Sequence, residues 1–122
     1  MVPNNVACWF EIPVTDLTRS KAFYEAVLKT ELKEEEMGPN ITAVFPTAEK
    51  SGVGGHLYEG NPAGKGSGNT VHLVIPDNRL EDTLARVEPA GGKVVSPVIP
   101  IPAGRFAYCL DPDGNSISLF SA

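Results

Sequence analysis

Two histidines and one glutamate are the residues of this chain best suited to metal or acid–base chemistry. Glu11, His56 and His72 supply two imidazoles and one carboxylate, the donor set that suits non-haem iron and related divalent metals. Without a metal, Glu11 is a candidate general base; its structural alternative is an acid paired with Arg105 or with a backbone donor. His72 is equally well explained as a histidine hydrogen-bonded within a polar cleft, and His56 as a ring packed against a neighbouring strand.

Four further side chains are candidates for binding a small molecule. Trp9 and Tyr58 offer flat aromatic surfaces for a ligand or a cationic group, although Trp9 equally well only fills space. Arg105 would anchor an anionic substrate group, or it is a surface residue with a packed aliphatic stem. Ser118 would place a hydroxyl in the same cleft, again with a structural role as the alternative.

The first candidates lie on a predicted strand. Apolar and polar residues alternate from Val6 to Thr15, which predicts a strand with one face in the core. Trp9 and Glu11 would share the other face. Cys8 would face the core, and Cys109 is likewise expected to be buried strand packing, with no activating base in the sequence.

The order strand, helix, three strands occurs twice along the chain. In the first half, the strand is followed by a helix over Leu17–Leu28, capped by Asp16, and by strands near Lys33, at Ile41–Phe45 and at Val53–Tyr58. In the second half, a strand at Thr70–Ile75 is followed by a helix with a capping box at Asn78 and Glu81, and by strands at Lys93–Val98, Arg105–Leu110 and Ser116–Phe120. The sequence therefore predicts an α+β fold of two tandem βαβββ modules, at about 6–58 and 70–121, joined by a Gly-rich linker at about 59–69.

Each module would leave one face of its sheet without a helix, so the modules must pack together or exchange between chains. By the alternation of each strand, these open faces carry Trp9, Glu11, His72 and His56. We expect the two faces to form a cleft for a small molecule.

Two segments carry a resemblance to a known family. VTDLTRSKAFY at residues 14–24 and DPDGNSISLF at residues 111–120 are similar to segments of the vicinal oxygen chelate superfamily, which includes glyoxalase I, extradiol dioxygenases and bleomycin-resistance proteins. The resemblance covers nearly the whole chain. It implies a divalent metal in the cleft (Ni, Zn, Fe or Mn), bound by residues of both modules and chelating vicinal oxygens of a substrate.

The ligand positions that the resemblance implies are only partly filled. The first position, seven residues before Asp16, holds Trp9, which offers no suitable donor. The matching position of the second module holds His72, whereas the last position holds Ser118, a poor ligand. His56 lies near the remaining position. At most two of the four positions therefore hold metal ligands.

Composition excludes several other classes. The net charge of −5 and ten scattered basic residues argue against a nucleic-acid partner, because phosphate binding needs clustered Lys and Arg. No apolar run approaches the roughly 20 residues of a membrane helix, and the N-terminus lacks a signal-peptide pattern. We expect a cytoplasmic protein with no membrane partner.

The sequence supports two main hypotheses for the function. The first is a glyoxalase-like lyase or dioxygenase in which a divalent metal polarises a substrate oxygen. The second is a metal-free protein that binds a drug or metabolite, as the bleomycin-resistance members do; Trp9 and the acidic composition favour it. A degenerate half of a larger assembly, with no small ligand, is a third possibility. The resemblance also implies a homodimer.

Overall fold

The first half of the chain forms a four-stranded sheet with a helix on one face. The computed structural model describes residues 1–122. The elements are β1 (Trp9–Val14), α1 (Leu17–Leu28), β2 (Lys33–Met37), β3 (Asn40–Val44) and β4 (Gly54–Glu59). The strand order is β1-β4-β3-β2, with β1 parallel to β4 and the other pairs antiparallel. One edge of this sheet is therefore β1.

The second half repeats this arrangement. Its elements are β5 (Val71–Val74), α2 (Leu80–Ala85), β6 (Lys93–Val94), β7 (Ile99–Ile101), β8 (Gly104–Leu110) and β9 (Ser116–Ser121). β5 is parallel to β9, β9 is antiparallel to β8, and both β6 and β7 pair with β8. The predicted α+β fold of two related modules is confirmed, and β5 is the free edge of the second sheet.

The first helix begins and ends at the predicted residues. Asp16 has extended backbone angles, and its side chain accepts a hydrogen bond from the Arg19 N–H at 3.1 Å. Phe23, Tyr24 and Val27 are fully buried on the face that packs on the sheet. The helix ends at Lys29, which has a φ of 51°, a left-handed conformation that glycine usually fills.

The predicted capping box of the second helix is wrong. Asn78 has a φ of 56°, which is incompatible with the extended backbone of an N-cap residue. The cap position falls on Arg79, which makes no side-chain capping bond, and Asp77 accepts the Arg79 N–H instead. Glu81 pairs with Arg105 rather than reaching back to the helix start.

The start of β1 also differs from the prediction. β1 begins at Trp9 and not at Val6, because its partner β4 begins opposite, at Gly54. Cys8 therefore lies outside the sheet and is exposed, whereas Cys109 is buried as expected.

Of the strand predicted at Lys93–Val98, only Lys93–Val94 forms β6, and β7 begins after the predicted range, at Ile99. Pro97 cannot donate to a ladder, and the Tyr108 N–H donates to the Ser96 hydroxyl at 2.8 Å instead of to a backbone carbonyl.

A buried polar cluster joins the two modules. The Asp111 carboxylate, 3% exposed, accepts hydrogen bonds from the Tyr24 hydroxyl at 2.7 Å and from the Asn115 side chain at 2.9 Å. Asn115 also donates to the Pro13 carbonyl at 2.8 Å. Nearby, Asp113 bonds Thr15 and Arg19 of the first module. The β8–β9 loop thus connects the two modules through hydrogen bonds and an ion pair.

Neither helix is long and apolar enough to cross a bilayer. Both sheets keep one face free of helix, and these open faces carry most of the candidate residues.

Candidate functional site

The open face of the first sheet holds a chain of three side chains in contact. Glu11 on β1 lies directly opposite His56 on β4, and Trp9 precedes Glu11 on the same face. The Trp9 indole N–H donates to His56 Nδ1 at 2.8 Å. His56 Nε2 lies 3.2 Å from Glu11 Oε1. The sequence brings these residues together because alternate residues of a strand share one face.

The bond from Trp9 fixes the state of the His56 ring. An indole N–H only donates, so Nδ1 must be unprotonated and accept. The ring proton then lies on Nε2, the nitrogen that faces Glu11 Oε1 at 3.2 Å. His56 is 6% exposed, and both of its nitrogens are engaged inside the protein.

The open face of the second sheet carries a different histidine pair. His72 on β5 lies directly opposite Ser118 on β9, and Ser118 Oγ lies 2.7 Å from His72 Nδ1. The ring contacts Phe106 and Tyr108 edge to face, with centroids 5.2 and 6.0 Å away. His72 is exposed and its Nε2 has no partner, while Ser118 is fully buried and supports the ring from below.

The three predicted metal ligands do not converge. Glu11 and His56 are neighbours, but no group of three His, Cys, Asp or Glu side chains in the chain is placed to hold a metal ion. His56 would have to give up either Trp9 or Glu11 to offer a nitrogen lone pair. The donor set of a single chain therefore does not fit the divalent metal that the resemblance implies.

The other predicted ligand-binding residues, Tyr58 and Arg105, lie on different faces of the molecule. Tyr58 stays with the first site, its ring centroid 6.0 Å from that of His56. Arg105 does not lie in the cleft. It shares the helix side of β8 with the fully buried Ala107 and Cys109. There it forms a two-bond ion pair with Glu81 of α2.

The shifted pKa values of Glu81 and Cys109, which lie outside the cleft, fit structural roles. The hydrogen bond from Arg105 lowers the pKa of Glu81 to about 2. Burial raises the pKa of the Cys109 thiol to about 11, which leaves it protonated and unreactive at neutral pH.

Cavities adjoin both open faces. One, of about 390 Å³, lies between β1 and the start of β5 and includes Trp9, Glu11, Asn69 and Asn115 in its lining. Another, of about 340 Å³, lies on the second sheet and is lined by His72, Val74, Ile101, Phe106 and Phe120. The first has the size of a small-molecule site and a mixed polar and apolar lining.

Sequence reasoning missed the contribution of the linker to the first cavity. Ser67 and Asn69 line it, although the segment reads only as a Gly-rich joint. Asn115, within the DPDGNSISLF segment, also lines the cavity and donates to the Pro13 carbonyl of β1. No local pattern marks these residues, since their role depends on how the modules pack.

Comparisons with known proteins agree on the family and the fold. Residues 7–119 match the model of the Glyoxalase/Bleomycin resistance protein/Dioxygenase superfamily. No match was found among the curated proteins.

Solved structures with the same fold include a glyoxalase/bleomycin resistance protein from Albidiferax ferrireducens T118, with a TM-score of 0.69 and 22% identity over 95% of this chain and 98% of that one. The fosfomycin resistance protein FosX from Mesorhizobium loti has a TM-score of 0.66 and 19% identity over 99% and 94% of the two chains. Glyoxalase I from Zea mays has a TM-score of 0.66 and 23% identity over 93% of this chain, which spans 45% of the maize chain.

Proposed function

Since this chain belongs to the Glyoxalase/Bleomycin resistance protein/Dioxygenase superfamily, we propose that it is a small-molecule-binding protein whose ligand site does not use a metal at His56. The ligand lies in the cavity beside β1, against Trp9 and Glu11. Tyr58 extends the aromatic surface of the same face. Binding without chemical conversion is the expected activity.

One observation carries this proposal. In the Trp9–His56–Glu11 chain, both nitrogens of the imidazole are used within the protein. A metal-ligating histidine needs one nitrogen lone pair free, and its other nitrogen is then held by a carboxylate, a carbonyl or a water. Here the indole N–H points at the lone pair itself, so His56 anchors Trp9 and orients Glu11.

Metal content and ligand turnover test the proposal. We expect substoichiometric metal in the wild type after incubation with Ni²⁺, Zn²⁺, Fe²⁺ or Mn²⁺ and removal of excess ion, measured by elemental analysis. A library of small molecules titrated against the fluorescence of Trp9, the single tryptophan, should give saturable binders that are recovered unchanged. Stoichiometric metal that is lost in His56→Ala, or conversion of a bound ligand, would overturn the proposal.

A metal-dependent enzyme centred on His72 is the second candidate function. Its support is the exposed His72 ring, whose Nδ1 is held by Ser118 while Nε2 has no partner; this is how ligating imidazoles are commonly held. A single chain supplies no second and third ligand beside it. Stoichiometric metal that is lost in His72→Ala but kept in His56→Ala would favour this candidate.

A homodimer is part of the proposal. Val74 is 69% exposed and Ile101 41% exposed on the open face of the second sheet, beside the apolar cavity with Phe106 and Phe120. Exposed apolar surface of this kind is typical of an interaction site. Light scattering should give twice the chain mass for the wild type and for Val95→Glu, an exposed valine outside that cavity, but the chain mass for Val74→Glu. A monomeric wild type would contradict the proposed dimer.

A further inference from the structure

The cavity beside β1 has one charged side chain in its lining. Its walls come from β1, the linker and the starts of β5 and β9, and Glu11 is the only ionisable residue among them. No Lys or Arg lines the cavity, and the other polar groups are amides and hydroxyls such as Asn69, Asn115 and Ser116. A ligand bound here therefore meets a single negative charge.

The Glu11 carboxylate has no cationic partner within the protein. The Lys and Arg ion pairs of the chain involve other acids. His56 contacts one oxygen, Oε1, and is neutral while it accepts from Trp9. The second oxygen has no hydrogen-bond partner, and the side chain is 62% exposed. His56 thus orients the carboxylate without neutralising it.

Trp9 supplies an aromatic face next to that charge. Trp9 is 43% exposed, and its indole N–H is held by His56, so its ring is fixed before a ligand arrives. Trp9 and Glu11 are two residues apart on one strand face, which separates their Cα atoms by about 6–7 Å. An aromatic face and a carboxylate at this spacing are the groups that attract an organic cation.

We propose that this cavity binds a small organic cation, with an ammonium group between the Trp9 ring and the free oxygen of Glu11. The uncharged part of the ligand lies toward Asn69, whose side-chain amide supplies hydrogen bonds. A metal cation is a poor fit, because hard metals take several oxygen ligands and the lining offers one carboxylate. This inference names the ligand class of the proposed function and rests on it.

Choline and its uncharged carbon isostere, 3,3-dimethylbutan-1-ol, test the charge requirement directly. Both are titrated while Trp9 fluorescence is recorded. We expect choline to change the emission saturably and to bind roughly tenfold or more tightly than the isostere, as one cation–π contact and one carboxylate contact allow. Equal affinity of the two probes, or no response to choline, overturns the inference.

Two glutamate variants locate the effect. Glu11→Gln should weaken choline binding roughly tenfold while leaving the affinity of the isostere unchanged. Glu36→Gln removes the same charge from an exposed position on β2, outside the cavity lining, and should leave both affinities unchanged. Equal losses in the two variants would show that only the net charge matters and would overturn the inference.

Thermal unfolding separates a folding defect from a binding defect. Glu11→Gln keeps an oxygen that can accept from His56, so its unfolding temperature should match that of Glu36→Gln. Should the isostere bind beside Trp9 as tightly as choline, the cation requirement fails while the small-molecule-binding function stands. Stoichiometric metal at His56 would instead remove the proposed function itself.

Discussion

The two open faces carry the same kind of pair in different surroundings. On the first sheet, Glu11 and His56 lie opposite each other on parallel strands, and on the second sheet His72 and Ser118 do. His56 is buried and bonded at both nitrogens, whereas His72 is exposed and bonded at one. A histidine in a repeated fold therefore acquires its chemistry from the residues next to it, here above all Trp9.

The faces also differ in polarity. The first presents a carboxylate with one free oxygen beside an indole, and the second presents Val74, Ile101 and Phe106 around an exposed imidazole. The first face suits recognition of a polar or cationic molecule. The second suits contact with an apolar surface. The following predictions test this contrast and the contacts that hold the modules in place.

The largest expected effect comes from the polar cluster that joins the modules. Asp111→Ala leaves the buried Tyr24 hydroxyl and the Asn115 amide without their shared acceptor. We expect the free energy of unfolding to fall by about 3 kcal/mol, measured by urea denaturation. Asp82→Ala removes an exposed partner of Arg79 and should change stability by less than about 1 kcal/mol. Similar losses in the two variants would contradict the role given to Asp111.

The two histidines should differ in their contribution to stability. His56→Ala empties a buried position and leaves the Trp9 N–H without an acceptor, so we expect a loss of about 2 kcal/mol. His72→Ala removes an exposed ring and should lower the free energy of unfolding by less than about 1 kcal/mol. Urea denaturation of both variants measures the difference. Equal losses would show that the two faces are not distinguished by burial.

Glycine substitutions at the C-terminal ends of the two helices should change stability in opposite directions. Lys29 ends α1 with a left-handed φ of 51°, whereas Arg86 ends α2 with a right-handed φ of −85°. Lys29→Gly should raise the free energy of unfolding by about 1 kcal/mol, because glycine adopts left-handed angles without strain. Arg86→Gly should lower it, since Arg86 also donates to the Val27 carbonyl. Thermal unfolding will show the two signs, and a loss in Lys29→Gly would be the contrary result.

The smallest expected effect is a pH dependence at the module boundary. Burial disfavours the charged form of Asp113, but hydrogen bonds from Thr15 and the charge of Arg19 outweigh it and hold the pKa below its usual value of 3.8. A lowered pKa stabilises the fold above that value and ceases to do so as the pH falls through the folded pKa. Asp113→Asn should therefore lose less stability than the wild type on acidification below about pH 4.

Urea midpoints measured from neutral to acidic pH test this prediction. The difference between the two proteins should be less than about 1 kcal/mol at neutral pH. Asp82→Asn, on the surface of α2, should keep the wild-type pH profile. Identical profiles for the Asp113 variant and the wild type would contradict the assignment.

Much of the fold could be predicted because local patterns determine it. Asp16 and the spacing of Phe23 and Val27 predict α1 with its observed bounds, and alternation predicts which residues of β1 and β5 face away from the helices. The predicted capping box at Asn78 was wrong because the Asn–x–x–Glu pattern carries no information on backbone angles, and Asn78 itself has a left-handed φ. The prediction that Cys8 faces the core was wrong because the alternating pattern begins before the first residue of β1 that has a partner on β4.

The sequence by itself determined the two modules, the strand faces and the residue types on those faces, because these depend on neighbours along the chain. Only the tertiary structure decided what those residues do. The pairing of β1 with β4 brings Trp9 and Glu11 to opposite nitrogens of His56, and that contact spans more than forty positions of sequence. Residue type makes Arg105 a candidate anchor for an anionic ligand or a surface residue, and Glu81, a residue of another element, holds it on the helix side of the sheet. Side chains meet their partners through strand pairing and module packing, and it is those partners that set their charge, exposure and available lone pairs.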